Sequence, residues 1–222
     1  MEQEKNKMGV IITIVKITTI ASLISGLIML ILLVLFNFSG VFTIKTLPGT
    51  KYENGFTYPG WQSIFFGMDE MMIQGYTEFG FDIYTCLGLF IPLVAIIVCS
   101  IIYLNNLNKK GTNRKKAILD FVMAGTILFG SIMLFNCDNF SILMASKVEG
   151  SYQSYYNEYL LPALNGEVSF TKNIYPYLIL VFGILFTLIK VANGGLLIYQ
   201  KKYALKLKKS KGDKIKWREK TM

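Results

Sequence analysis

Four stretches of this chain are too long and too uniformly apolar for a water-soluble domain. Residues 10–36, 82–104, 117–135 and 174–199 are runs of about twenty residues or more. A helix needs about that length to cross a hydrocarbon core of roughly 30 Å. The chain is 53% hydrophobic over 222 residues. Scattered at helix or strand period, that share would still suit a soluble fold; gathered into blocks, it does not. The expected fold is an all-α membrane protein. It is a four-helix transmembrane bundle with a small extracellular β-hairpin element and a short extracellular helix.

The charges give the four runs a direction. The polar loop 105–116, NNLNKKGTNRKK, holds five basic residues and no acidic one. The tail 200–222 holds ten Lys or Arg against Asp213 and Glu219. The segments 37–81 and 136–173 hold only Lys45, Lys51, Lys147 and Lys172, with eight acidic residues. Basic residues resist translocation, so the loop, the tail and residues 1–9 belong in the cytoplasm and the other two segments outside. The first run exceeds the 7–15 residues of a signal-peptide core and no A-x-A-like site follows it, so it is expected to remain as an anchor. The Lys-, Ile- and Asn-rich composition points to a bacterial cytoplasmic membrane. The net charge of +9 does not imply nucleic acid, because the basic residues sit beside membrane spans. Tyr203, Leu205, Leu207, Ile215 and Trp217 interleave with lysines, as in segments that lie on anionic lipid. Asn193, Gly194 and Gly195 could loosen the last helix or end it near Ala192, and disorder is expected past Ser210.

The outer segments have their own patterns. VFTIKT from Val41 alternates apolar and polar residues, as a half-buried strand does. Asn54-Gly55 is a hairpin signal. The stretch FTYPGWQSIFFG after it is aromatic and β-prone, and Met68–Gln74 could add a helical turn. Tyr152, Tyr155, Tyr156 and Tyr159 have the i, i+3, i+4, i+7 spacing of one helix face. Trp61, Phe65, Phe66 and these four tyrosines either pack on the helix ends or form a face for a partner. LFNFSG and LFNCDNFS, closing the first and third runs, hint at a duplication.

Catalytic chemistry has little to work with. There is no histidine, which removes histidine bases, histidine-held zinc and a Ser-His-Asp triad. There is no CxxC, GxxxxGK[ST] or GxGxxG. No enzyme activity, cofactor or metal is expected. Asp69, Glu70, Glu78 and Asp82 lie close in sequence, but solvated surface explains them. The charges inside the runs are Lys16, Asp120 and Lys190; charge in a bilayer is costly and marks a functional candidate by default. All three lie toward the cytoplasmic half, where snorkelling or an Asp120–Lys190 pair lowers the cost. Pro92 should bend the second helix. Cys99 reads as a small buried residue, and Cys86 and Cys137 are a candidate disulfide pair near the outer face.

Four spans with both ends inside, a larger first outer loop of β character and a smaller second one resemble the claudin layout. The claudin W-GLW and two-cysteine pattern is absent, so cell–cell sealing is not implied. The stretch Pro59-Gly60-Trp61-Gln62-Ser63-Ile64-Phe65-Phe66-Gly67 resembles a Gly-Trp-Gln…Phe-Gly stretch in small four-span proteins of low-GC Gram-positive bacteria, which brings no activity with it. The functional expectation is a non-enzymatic membrane protein whose outer segments bind another membrane protein, an envelope component or a second copy. The alternative is a small transporter or channel subunit using Lys16, Asp120 and Lys190. A cavity reaching Asp120 and Lys190 would favour transport, and a closed bundle would favour partner binding.

Overall fold

The computed structural model describes residues 2–45, 56–65, 82–106, 109, 112–140 and 169–220. In chain order the elements are α1 (Glu2–Phe36), β1 (Gly40–Lys45), β2 (Phe56–Pro59), α2 (Gly60–Phe65), α3 (Ile83–Asn105), α4 (Asn113–Phe135), β3 (Ser169–Lys172) and α5 (Ile174–Lys220). Four helices are long and apolar enough to cross a membrane, over Asn6–Phe36, Ile83–Asn105, Asn113–Phe135 and Ile174–Leu207. The protein is thus a multi-pass membrane protein by length and composition. The spans match the four apolar runs, but α1 starts earlier and α4 takes the last residues of the basic loop. α5 passes through Asn193–Gly195 without a break and runs to Lys220, against the expected end or surface-lying segment.

Internal contacts divide the chain into two compact units. The first comprises Met1–Leu27, Ala95–Gly125 and Phe186–Met222. Val15, Ala117 and Leu197 are buried together there, with Ile11, Leu196 and Ile198 against them. Outward-facing residues of the same helices, such as Ile17, Ile20, Ile101 and Leu188, are large and apolar. That is the pattern of a span whose outer solvent is lipid.

The second unit comprises Ile28–Val94 and Thr126–Leu185. It holds a three-stranded sheet ordered β2-β1-β3, antiparallel on both sides of β1. The hairpin expectation is therefore corrected by one strand: SFTK, from the second inter-span segment, completes the sheet. A register shift between Gly40 and Phe42 inserts one residue into β1, so Val41 and Phe42 are both buried where strict alternation would expose one. Phe42 stacks on Tyr58 at 4.9 Å between ring centroids. Thr43 and Thr57 pair across the strands at 2.9 Å.

A second correction concerns the aromatic stretch. After Pro59 the chain turns helical, so Trp61 and Phe65 lie on α2 rather than on a strand. The proline removes a ladder donor, and Gly60 lets the helix start close against α1: a Cβ on Gly60 would strike the carbonyl and ring of Phe36. Asp82 then caps α3. Its Oδ1 accepts from the backbone N–H of Tyr84 and of Thr85, each at 3.0 Å. Asp82 is wholly buried, which removes it from any solvated acidic patch. α3 and α4 approach closely at Gly130, where a Cβ would meet the Pro92 ring and the carbonyl of Gly88. Small residues permit such backbone contact between membrane helices. The Asn54-Gly55 turn, Met68–Gln74, Asp69, Glu70, Glu78, Phe66 and the stripe of Tyr152, Tyr155, Tyr156 and Tyr159 lie outside the described residues.

Candidate functional site

The first unit carries a polar network inside the spans, and its hub is Asn193 on α5. Asn193 Nδ2 donates to Asp120 Oδ2 on α4 at 2.7 Å and to the Tyr103 hydroxyl on α3 at 3.2 Å. Its Oδ1 accepts from Thr18 at 2.8 Å and from Thr19 at 3.2 Å, both on α1. An amide side chain has two donors and room for two acceptor contacts, so this one is fully used. One side chain thereby joins all four spans.

Around the hub, the Ser22 hydroxyl donates to Asp120 Oδ1 at 2.8 Å. Lys190, one helical turn before Asn193, donates to the Ser22 carbonyl at 2.5 Å. Its Nζ stands 3.9 Å from Asp120 Oδ1. The Tyr103 hydroxyl reaches Thr19 Oγ1 at 3.5 Å. Asp120, Lys190, Asn193 and Tyr103 are all 0% exposed. Gly26 borders the ammonium: a Cβ there would sit 3.3 Å from Nζ.

The arrangement explains how charge is tolerated at this depth. A buried carboxylate is costly unless hydrogen bonds and a counter-charge replace water. Asp120 has a donor on each oxygen and a cation nearby. The expected Asp120–Lys190 pairing is thus present, though the pair is long and works through Ser22 and Asn193 as much as through direct contact. Lys16 does not join them; it is exposed on the outer side of α1. Asn193, Ser22 and Tyr103 are the residues that sequence reasoning missed. The available signal was spacing: Lys190 and Asn193 are i, i+3, and Thr18 and Ser22 are i, i+4, so each pair shares a helix face.

In the second unit, Trp61 is 42% exposed on α2, and its backbone N–H donates to the Asn37 carbonyl at 3.1 Å. Phe65 lies on the same short helix. Where α4 gives way to the sheet, Lys172 of β3 pairs with Asp138 at 3.1 Å and lies 4.0 Å over the Phe135 ring. Cys86, Cys99 and Cys137 are free thiols, so the candidate disulfide pair stands unbonded. Burial pushes the Cys137 thiol well above its ordinary range, and the Asp138 carboxylate beside it adds to the shift. Among the described residues no group of three or more acidic, cysteine or histidine side chains gathers to hold a metal. No protein family, curated protein or solved structure matches this chain.

Proposed function

We propose that this is a non-enzymatic multi-pass membrane protein whose sheet-bearing segments bind or brace a partner in the membrane or envelope. The observation that carries this reading is the closed network: every hydrogen-bonding group of Asn193 is spent on other helices, and Asp120 and Lys190 are sealed from solvent. Such a network holds spans together and leaves recognition to the surface. The sheet built from both inter-span segments, with Trp61 half-exposed beside it, is the surface offered for that role. The basic loop and tail favour a cytoplasmic location for both termini in a bacterial cell membrane, with the sheet outside. Lys201, Lys202 and Lys206, exposed basic residues in the closing turns of the last span, suit anionic headgroups there.

The test is a photo-crosslinking amino acid at Trp61 in living cells. A discrete adduct, absent when the same group replaces lipid-facing Ile20, is expected. Lipid adducts alone at Trp61 contradict the reading. One observation favours the alternative of a small transporter or channel subunit: the Lys190 ammonium has three donors, and among the described residues one hydrogen bond. Solute or ion flux in proteoliposomes that disappears in Lys190→Met would support that alternative.

A further inference from the structure

We infer that the outward-facing groove between α4 and α5 holds one anionic phospholipid, with its phosphate at Arg114 and Lys202 and one chain laid along the two helices. The inference rests on reading the basic residues of α5 as facing headgroups, and it puts a bound molecule where that reading has a diffuse attraction. It does not depend on what the sheet binds. The two helices touch over a defined length of the first unit. At one end Asn113 Nδ2 donates to Gln200 Oε1 at 2.8 Å. At the other the Thr187 hydroxyl donates to the Ala124 carbonyl at 3.3 Å. Between them a Cβ on Gly194 would stand 3.1 Å from the Phe121 ring. That length is roughly 16–20 Å at 1.5 Å per residue, comparable to half of a hydrocarbon core of about 30 Å. The chains of one leaflet fill such a half.

Along this contact each helix turns a narrow strip outward, with a cation at one end and apolar surface beyond it. At roughly 100° per residue, Arg114, Phe121 and Gly125 share an arc of about 40° on α4, and Lys202, Gly195 and Val191 one of about 40° on α5. All six are exposed. Both arcs border the line of contact, since Phe121 meets Gly194 and Gly195 follows it. Among the described residues nothing lies within 4 Å of a Cβ at Gly125 or Gly195, so each wall has an open notch beside a large side chain. A partner helix would need small residues repeated at i and i+4 along one wall, and each arc offers one glycine. A free phosphate would use the cations alone; an amphiphile uses the apolar strip as well. Among the described residues Arg114 and Lys202 form no ion pair, and Asp120 is buried and already shared. A phosphate supplies their counter-charge, and the Arg114 guanidinium can take two of its oxygens at once. Lys115 and Lys201, exposed beside them, repel the ammonium of a zwitterionic headgroup and so select one of net negative charge.

The test uses the full chain in neutral detergent, with bound lipid counted by native mass spectrometry as phosphatidylglycerol or phosphatidylcholine is added. One phosphatidylglycerol per chain is expected, held at least about tenfold more tightly than phosphatidylcholine, the scale of one charge-assisted contact. Arg114→Gln combined with Lys202→Gln should weaken that binding at least about tenfold. Lys115→Gln combined with Lys206→Gln removes the same charge outside the two arcs and should change it by no more than about twofold. Gly195→Leu keeps the charge but fills a notch, and should weaken binding about fourfold, the scale of one methylene's apolar contact. Equal losses from the two charge variants overturn the inference and leave a diffuse attraction standing. Unchanged binding by Gly195→Leu overturns it too, because the chain would then not use the groove. If phosphatidylglycerol is not preferred at all, the inference and the headgroup reading fall together.

Discussion

Asn193 Nδ2 lies 2.7 Å from Asp120 Oδ2, so a neutral amide, not the nearby lysine, makes the shortest side-chain contact to the buried carboxylate. Lys190 stands 3.9 Å away and spends its short hydrogen bond on the Ser22 carbonyl. The division is physically sensible. The amide and the Ser22 hydroxyl supply directed hydrogen bonds, and the ammonium supplies counter-charge without giving up its own acceptor. A double-mutant cycle tests this. Asp120→Leu or Lys190→Leu alone should cost about 3–5 kcal/mol, because each leaves a buried charge uncompensated. The double variant should cost clearly less than the sum, read as thermal unfolding in nanodiscs. Strict additivity would mean the two do not share one site.

Close backbone contact makes a second prediction. Gly130→Ala places a methyl group against Pro92 and the Gly88 carbonyl, and about 1–3 kcal/mol of destabilisation is expected. Gly125 is on the same helix with nothing within 4 Å of a Cβ. Gly125→Ala should be neutral or stabilising by up to about 1 kcal/mol, through helix propensity. Equal effects of the two substitutions would contradict the crossing described at Gly130.

Cys137 gives a pH prediction. Its thiol is wholly buried and its pKa raised, so in the folded protein it stays protonated through the ordinary alkaline range. In the unfolded chain it ionises near 8.5. The unfolded state then binds fewer protons, and stability falls as pH rises above about 8.5. Cys137→Ala should lessen that alkaline decline, measured as unfolding temperature against pH. Cys137 should also resist maleimide at pH 8 until the protein is unfolded, and no Cys86–Cys137 bridge should appear by mass spectrometry. Rapid labelling of native Cys137 would contradict its burial.

The orientation is testable by impermeant thiol labelling of intact cells, in a background lacking the native cysteines. Thr57→Cys, on an exposed position of β2, should label directly. Lys201→Cys should label only after the membrane is permeabilised. The reverse pattern would invert the proposed topology.

The spans were legible because twenty consecutive apolar residues have no stable alternative to a bilayer. β1 was legible from its alternation, and β2 from its aromatic residues. α2 was not, because Trp61 and Phe65 favour strands locally, whereas Pro59 and the fit of Gly60 against Phe36 decide the turn into helix. β3 was missed because SFTK is four residues long and gains its reason only from pairing with β1. The network was half legible. Charge singled out Asp120 and Lys190. Depth alone put Lys16 with them, although its helical phase differs from that of Ser22 by six residues, which turns it to the outer side. Beside Gly194 and Gly195, Asn193 looks in the sequence like a place where the helix loosens. Its role appears only when the other three helices are present.

The most direct measurement is the unfolding temperature of Asn193→Leu in nanodiscs, compared with Lys16→Leu. If Asn193 joins the four spans, its loss strands Asp120, Tyr103 and the two threonines and should cost about 2 kcal/mol or more. Lys16→Leu, on the lipid side, should change stability by no more than about 0.5 kcal/mol. An Asn193→Leu protein as stable as the unsubstituted chain would contradict the account.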